Sequence, residues 1–335
     1  MDLDSKLYPV GGQLHMYLQK PHFFVMTERM NKDTPLHTFP SHLIWLLVGL
    51  TLGWGINWPI MKAVLFEMAP MHFRTLCLFF GAVGLFTIAR MSGLSIRIPK
   101  GHWPQTIAIA LVNTMALNIF SVYGVQLMAS GRAAILCYTM PIWSVIIATW
   151  LLKEPFTKRR ALGCVLGGAS LLLLLGEEIQ AVGRSPLGAI LMIGAAVSWA
   201  IGTIMMKRWP VSLPVSAFTA WQLLISVPPI ILFAITFESG TFNPFALSLW
   251  PMLGVFYNVF VVFIFGYWAW TKIALIAPVD VSSLSIMMTP VVGVFSGMLL
   301  LGETPHWQDY VALVLVVTSL ATVLLPAKPM AVFVD

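Results

Sequence analysis

Two stretches of the sequence carry the same pattern almost half a chain apart: "GWGINWPIMK" at Gly53–Lys62 and "SWAIGTIMMK" at Ser198–Lys207. They align without gaps, and Trp54 and Trp199 stand 145 positions apart. Each stretch lies inside a long apolar run. A polar side chain in the hydrocarbon region needs a partner or a water-filled cavity. The repeated stretch is therefore the starting point for predicting the fold.

A second pair of stretches supports an internal repeat. "TMPIWSVIIATWLLKE" at Thr139–Glu154 resembles "MTPVVGVFSGMLLLGE" at Met288–Glu303, with an offset of 149 positions. Pro141 corresponds to Pro290 in this alignment, and Glu154 corresponds to Glu303. Two matches in the same order and at nearly equal offsets indicate that the second half of the chain repeats the first.

The composition indicates a membrane protein built from helices. Hydrophobic residues make up 59% of the chain and charged residues only 10%, whereas soluble domains are about 25% charged. The apolar runs are long enough to cross a ~30 Å hydrocarbon layer as helices of ~20 residues. They lack the polar–apolar alternation of barrel strands. The formal net charge of +6 is attributed to topology rather than to nucleic-acid binding.

Apolar runs bounded by Pro, Gly and charge clusters predict ten membrane helices and two tails. The helices are expected near 42–66, 70–91, 104–128, 131–152, 159–176, 186–207, 214–237, 247–275, 279–301 and 307–326. This gives an N-terminal tail of residues 1–41, a first five-helix repeat at 42–176, a second at 186–326 and a C-terminal tail at 327–335. We expect an all-α integral membrane protein.

An odd number of helices per repeat fixes the relative orientation of the two halves. Because the first copy has five helices, the second must enter the membrane from the opposite side. Inverted repeats of this kind are typical of secondary transporters, which place the substrate site near the midplane between the halves. The fold prediction is therefore ten transmembrane helices in two inverted five-helix repeats around a central cavity.

The distribution of Lys and Arg predicts the orientation in the membrane. With the N-terminus inside, 15 of these residues lie on the inner side and four on the outer side, namely Lys62, Arg74, Arg132 and Arg184. Cytoplasmic loops carry the excess of positive charge. Both termini are therefore expected in the cytoplasm.

The motifs of the first half resemble those of a known transporter family. The pattern W-G-x-N-W-x-x-x-K at Trp54–Lys62, followed by Pro70-x-x-x-Arg74, looks like the EamA-type drug/metabolite transporter family. The proline-centred stretches that end in Glu154 and Glu303 are similar as well. The resemblance covers roughly residues 42–326. It implies a bacterial inner-membrane carrier that moves amino acids or other small, neutral or amphipathic metabolites by alternating access, often outward, with no cofactor.

Polar and aromatic residues within the predicted spans are the candidates for substrate binding. They are Trp54, Asn57, Trp58, Asn113, Tyr138, Trp199, Tyr257, Asn258 and Ser285. In the first span Trp54, Asn57 and Met61 share one face by i, i+3 and i+4 spacing. Either this face lines the cavity, or its asparagine serves as a packing hydrogen bond between helices. The same alternatives remain for Asn113 and Asn258, which are related by the repeat.

Four residues are candidates for gating: Lys62, Arg74, Pro141 and Pro290. Lys62 and Arg74 either recruit an anionic substrate or gate the outer mouth, or their side chains snorkel to the headgroups. The two prolines remove a backbone donor and favour a kink. Glu154 and Glu303 end their spans at opposite faces, where they form gate ion pairs or solvated caps.

Other functions have less support in the sequence. The seven histidines lie in the tail or at span ends, and there is no HExxH motif, so we do not expect an enzyme or a metal site. A carrier of phosphorylated or nucleotide-linked metabolites needs several basic residues around the cavity, and a passive facilitator of the same fold is a further alternative. The shortage of charge in the spans predicts a neutral, aromatic cavity. The oligomeric state is left open.

Overall fold

The computed structural model describes residues 41–180, 186–238, 246–276 and 279–325. The regular elements of these residues are all helices. The predicted N-terminal tail, apart from Ser41, and the predicted C-terminal tail lie outside the described residues.

Ten membrane helices follow one another along the chain, as predicted. They are α1 Ser41–Val64, α2 Pro70–Met91, α3 Trp103–Leu127, α4 Ser130–Leu151, α5 Lys158–Gln180, α6 Leu187–Arg208, α7 Val215–Phe237, α8 from 249 to 276, α9 Val279–Leu301 and α10 Trp307–Leu324. Within the described residues, nine are long and apolar enough to cross a membrane. In α9 the apolar part is the shorter segment Ile286–Leu301. The all-α, ten-helix prediction is confirmed.

The packing of the helices carries the internal symmetry. α1 packs against α9 and α8, and α6 packs against α4 and α3. The remaining large contacts pair α2 with α7 and α5 with α10. Exchanging every helix for the one at the same place in the other half reproduces this set of pairs. The two inverted repeats are therefore interleaved, and each half supplies walls for the other.

Three helices depart from regular α geometry. π-helical segments interrupt α3 at Ala110–Ala116 and α8 at Asn258–Gly266, which are overlapping positions of the two repeats. α4 consists of Ser130–Cys137 and Met140–Leu151, separated by a turn. Pro141 lies in the first turn of the second piece, where its missing N–H breaks no hydrogen bond. Pro290 instead lies inside the continuous helix α9.

Small residues allow the closest approach of helices. A Cβ atom at Gly55 of α1 would lie 2.5 Å from the Val292 side chain of α9. A Cβ at Gly202 of α6 would lie 2.3 Å from the Asn113 side chain of α3. Such close contacts between membrane helices need glycine, because association in lipid depends on tight packing.

Consecutive helices run in opposite directions, so their last residues lie alternately at two ends of the bundle. The Lys62 end holds the last residues of α1, α3, α5, α7 and α9, and the loop with Glu303 follows α9 there. The Lys207 end holds the last residues of the other five helices, and Glu154 follows α4 there. The two repeat-related carboxylates therefore lie at opposite ends of the bundle.

Candidate functional site

A cavity of about 420 Å³ lies between the two halves and reaches the Lys207 end. Side chains of every membrane helix except α7 line it among the described residues. Its volume is within the range of about 300–1,000 Å³ typical of small-molecule sites.

The walls of the cavity are largely aromatic. Their rings belong to Trp54, Trp58, Tyr138, Trp199, Phe263, Tyr267 and Trp270. The Trp54 ring centroid is 5.9 Å from that of Tyr267 and 6.1 Å from that of Trp270. Trp58 meets Tyr138 edge to face at 6.4 Å. Rigid aromatic walls of this kind suit the apolar part of an amphipathic solute.

One face of α1 supplies polar atoms to this cavity. Trp54, Asn57, Trp58 and Met61 line it, at the i, i+3, i+4 and i+7 spacing of a single helical face. Trp54 Nε1 donates a hydrogen bond to the Val262 carbonyl, at 3.3 Å. Asn57 Oδ1 and Trp58 Nε1 are buried without a hydrogen-bond partner. α1 therefore borders the cavity with an unsatisfied acceptor and an unsatisfied donor.

Arg74 of α2 lines the cavity and is only 4% exposed. Its Nη2 atom contacts Met61 Sδ. The guanidinium carbon lies 5.1 Å from the ring centroid of Phe73 and 5.9 Å from that of Phe263. Arg74 Nε has no hydrogen-bond partner, and no carboxylate among the described residues forms an ion pair with this side chain.

At the Lys207 end the cavity meets a cluster of three charges. Glu154 forms ion pairs with Lys207 at 3.2 Å and with Arg160 at 3.0 Å. Partial burial raises the pKa of Glu154, but the hydrogen bonds and charges of Lys207 and Arg160 outweigh this, so the pKa lies below its ordinary value. Glu154 therefore stays ionised at neutral pH and bridges α4 to α6.

At the Lys62 end, Glu303 and Lys62 form an ion pair that does not line the central cavity. The Glu303 carboxylate lies 3.7 Å from Lys62 Nζ and accepts hydrogen bonds from Ser130 N, Ser130 Oγ and Gly131 N, at 2.7, 2.9 and 3.2 Å. Lys62 Nζ also donates to the Met128 carbonyl. A carboxylate on the first turn of α4 is stabilised by the free N–H groups and the helix dipole.

A second cavity, of about 520 Å³, lies at the Lys62 end. Lys62, Arg132, Glu303, His306 and Asp309 are among the residues that line it. Among the described residues, the two cavities share no lining residue. Lys62 and Glu303 line this second cavity and not the central one, so the two cavities are distinct.

Arg132 anchors the Lys62 end from within. Its guanidinium contacts Asp309 through Nε at 2.6 Å and through Nη2 at 3.3 Å. Nη2 also donates to Glu177 at 2.6 Å, and His306 Nδ1 lies 2.6 Å from the same Glu177 oxygen. Arg132 and Asp309 are 5% and 3% exposed. This buried network joins α4, α5 and α10.

The two ion pairs are related by the repeat. Lys62 corresponds to Lys207 and Glu303 to Glu154, so each pair joins a lysine of one half to a glutamate of the other. The sequence indicated these charges as possible gate pairs at opposite faces. Only the structure identifies which lysine meets which glutamate.

The structure places the other candidate site residues as follows. Tyr138, Trp199 and Pro141 line the cavity. Asn113 and Asn258 lie outside it: Asn113 Nδ2 donates to the Trp199 carbonyl at 3.2 Å, and Asn258 Nδ2 donates to Gly254 of its own helix at 3.1 Å.

The remaining candidates are Tyr257, Pro290 and Ser285. The Tyr257 hydroxyl donates to the Gly53 carbonyl at 2.9 Å, and Tyr257 does not line the cavity. Pro290 is buried inside α9 and likewise does not line it. The side chain of Ser285 lies outside the described part of the structure.

Sequence reasoning overlooked four small polar residues of the cavity wall: Asn118, Ser121, Ser144 and Thr203. Each bonds a carbonyl of its own helix, as Asn118 Nδ2 does with Thr114 at 2.8 Å. Their spacing from residues already singled out offered a signal, because Ser144 is three positions after Pro141 and Thr203 four after Trp199. The shared helical face predicts that these residues line the same cavity.

The charge of the cavity also differs from the expectation. The sequence predicted a neutral cavity, but Arg74, Arg160 and Lys207 line it against the single carboxylate of Glu154 among the described residues. That prediction is wrong. These charges lie near the ends of the helices, and the sequence does not reveal which of them turn toward the centre of the bundle. The cavity is aromatic and positively charged.

Comparisons with known proteins match this architecture. The model of the EamA-like transporter family matches residues 42–176 and 186–325. An uncharacterized transporter of Bacillus subtilis (strain 168), YoaV, is 29% identical over 77% of this chain and 88% of its own length. A probable amino-acid metabolite efflux pump of Salmonella typhimurium is 26% identical over 82% of this chain and 92% of its own.

A solved structure shares the fold. The other chain, described only as the crystal structure of a protein, aligns with this one at a TM-score of 0.61 and 18% identity. The alignment covers 85% of this chain and 96% of the other. At this identity the likeness concerns the fold alone. Since the family model covers both halves, which carry ten apolar helices in two inverted repeats, this integral membrane protein belongs to the EamA-like transporter family.

Proposed function

We propose that this protein is a secondary transporter that exports a small organic metabolite, such as an amino acid or a related amphipathic solute, by alternating access. The observation that carries the proposal is the crosswise pairing of Lys62 with Glu303 and of Lys207 with Glu154 at opposite ends. Because the repeat relates the two pairs, each is suited to close one end of the same cavity.

The difference between the two ends supports a carrier rather than a passive facilitator. The central cavity is lined by Lys207 but not by Lys62, and at the Lys62 end Glu303 binds the first turn of α4. In a carrier, a second conformation exchanges these roles around a fixed site. We propose that Lys62 and Glu303 part in that state, while Glu154 draws α4 and α6 together. The break in α4 near Pro141 is the proposed hinge.

The direction of transport follows from the predicted orientation. With 15 Lys and Arg residues on the side of the Lys207 end, that end faces the cytoplasm. The described conformation is then ready to load substrate from the cytoplasm. Two relatives named as probable amino-acid metabolite efflux pumps, from Salmonella typhimurium and Escherichia coli, support export.

A carrier of phosphorylated metabolites is the second candidate. The three basic residues that line the cavity favour an anionic substrate. Two of them, Arg160 and Lys207, are paired with Glu154. Among the described basic residues that line the cavity, this leaves only Arg74 without a carboxylate partner, which suits a single anionic group better than a phosphate dianion.

Solute profiling in cells tests the proposal. Cells that overproduce the wild type are expected to export at least one metabolite faster than cells carrying Asn57→Ala. Loss of one hydrogen bond to the substrate corresponds to about 1 kcal/mol, or about fivefold in KM. Thr87→Ala, on the exposed surface of α2, is the control and should behave as the wild type. Equal solute pools in all three strains would contradict transport.

Counterflow separates a carrier from a facilitator. Reconstituted protein with unlabelled solute on one side is expected to accelerate uptake of the labelled solute from the other side. A rate that does not respond to the solute on the far side would favour the facilitator.

A further inference from the structure

Arg74 differs from the other basic residues around the central axis. Lys62 faces Glu303, Lys207 and Arg160 face Glu154, and Arg132 is held by Asp309 and Glu177. Arg74 is equally deep in the protein but has no carboxylate partner among the described residues.

An uncompensated charge in the protein interior is costly. Removing an ion from water without a partner costs several kcal/mol. The faces of Phe73 and Phe263, at 5.1 and 5.9 Å, return only part of this cost. The contact with the Met61 sulfur supplies a weak acceptor, and Arg74 Nε has none. The folded protein therefore keeps a cation beside the cavity that an anion would stabilise.

Two further unsatisfied groups belong to residues that line the same cavity. Met61 contacts Arg74, and Trp58 and Asn57 precede Met61 by three and four residues on the same face of α1. Asn57 and Trp58 lie within about 6 Å of Met61 along the helix axis. Trp58 Nε1 is an unpaired donor and Asn57 Oδ1 an unpaired acceptor. The wall of one cavity thus combines a cation, a second donor and an acceptor.

We infer that Arg74 is the residue that binds the carboxylate of the transported solute. Arg74 and the Trp58 indole N–H donate to the carboxylate oxygens. Asn57 Oδ1 accepts a hydrogen bond from an amino or hydroxyl group of the same molecule. The apolar body lies against the aromatic walls. This inference rests on the proposed transport function and specifies its substrate as an organic carboxylate with an apolar body.

A carboxylate fits the site better than a phosphate. A guanidinium matches the two oxygens of a carboxylate in a bidentate geometry. A phosphate dianion at this position would bring a second negative charge. The other two basic residues, Arg160 and Lys207, lie at the far end of the cavity and already form ion pairs with Glu154. A buried charge without its own partner is unfavourable. The site therefore selects a single negative charge.

Competition binding with the purified full-length protein tests the inference. Tritiated L-phenylalanine is the probe, and the competitors are 3-phenylpropionate, L-phenylalaninamide and inorganic phosphate. We expect 3-phenylpropionate to compete and the amide, which lacks the carboxylate, to compete at least about tenfold more weakly. In Arg74→Gln, binding of L-phenylalanine should weaken by about tenfold to a hundredfold, the loss of one charge-assisted hydrogen bond.

Matched variants show whether the effect belongs to the site. Arg90→Gln removes the same charge from an exposed position of the same helix that does not line the cavity, and should change binding by no more than about twofold. Arg74→Lys keeps the cation and should retain part of the affinity. Trp58→Phe removes only the indole donor and should weaken binding by about fivefold. This variant tests the site even where Arg74→Gln does not fold.

Several results would overturn the assignment. They are unchanged affinity in Arg74→Gln, equal competition by the amide and the carboxylate, stronger competition by phosphate than by 3-phenylpropionate, and no binding of L-phenylalanine by the wild type. Counterflow in vesicles separates this inference from the proposed function. Binding through Arg74 without counterflow contradicts transport alone, whereas equal counterflow by the wild type and Arg74→Gln contradicts the assignment alone.

Discussion

The two ends of the molecule are built from corresponding residues but held to different degrees. At the Lys62 end, the side chains of Lys62 and Glu303 are 19% and 15% exposed, and Glu303 also caps α4. At the Lys207 end, the side chains of Lys207 and Glu154 are 43% and 27% exposed. An inverted repeat offers each glutamate an equivalent lysine. The difference between the ends therefore reflects the conformation in which the helices are packed.

Part of the difference between the two ends nevertheless follows from residues that differ between the two repeats. Arg132 and Asp309 form a buried pair at the Lys62 end. At the offset of 149 positions, their counterparts are Val281 and Arg160, which cannot form the same pair. Within the described residues, the Lys62 end thus has a buried Arg–Asp pair that the Lys207 end lacks. We expect this pair to favour the conformation in which the cavity reaches the Lys207 end.

The largest expected effect comes from breaking the buried network. Arg132→Met leaves the carboxylates of Asp309 and Glu177 without their cation and should reduce stability by about 3–5 kcal/mol. The measurement is the midpoint of thermal unfolding in detergent. Arg160→Met is the control at the other end, where the partly exposed pair should contribute less than about 1 kcal/mol. Equal shifts in the two variants would show that the ends are held equally.

A smaller effect should follow from releasing Glu303. Glu303→Gln weakens the contacts with Lys62 and with the first turn of α4, which we expect to shift the equilibrium toward opening at the Lys62 end by about 2–3 kcal/mol. The reporter is Ser144→Cys, a cavity-lining position, in a background without the three native cysteines. It should become reactive to a membrane-impermeant thiol reagent added from the Lys62 side.

Glu154→Gln is the matched control for this experiment. It removes the corresponding charge at the Lys207 end, which is already accessible. Its labelling from the Lys62 side should remain at the wild-type level or below it. Labelling from that side that rises equally in both variants would contradict a closing role specific to Glu303.

The smallest effect concerns pH. Because Lys207 and Arg160 hold the pKa of Glu154 below its ordinary value, the ion pairs contribute fully above the ordinary glutamate pKa. Their contribution is lost only as the pH falls through the lowered value. Spin labels at the exposed positions Phe156 and Trp209 should keep a constant separation between about pH 5 and 8. A change in this window that Glu154→Gln abolishes would contradict the lowered pKa.

Helical spacing in the sequence was enough to predict which residues share one face of a helix. The i, i+3 and i+4 pattern of Trp54, Asn57 and Met61 placed all three on one side of α1, and the structure places that side along the cavity. The same reasoning did not separate Asn113 and Asn258 from the cavity wall. Their positions depend on the π-helical segments that contain them, and a π segment rotates the face that follows it.

Sequence patterns could not predict the direction in which charged side chains near the helix ends point. Arg74 lies one turn into α2 and was compatible with snorkelling to the headgroups. Its side chain instead turns inward past Phe73 to Met61. The direction depends on which neighbouring helix covers the α2 surface, and that neighbour belongs to a distant part of the chain.

The sequence alone determined the number of helices, their apolar lengths and the inversion of the two halves. These properties follow from local hydropathy and from a repeat with an odd number of spans. The tertiary structure decided which lysine meets which glutamate, which end of the bundle the central cavity reaches, and which buried cation of the described residues has no carboxylate partner. Such contacts join residues more than 50 positions apart, so they are fixed by how the two halves pack and not by the spacing within either one.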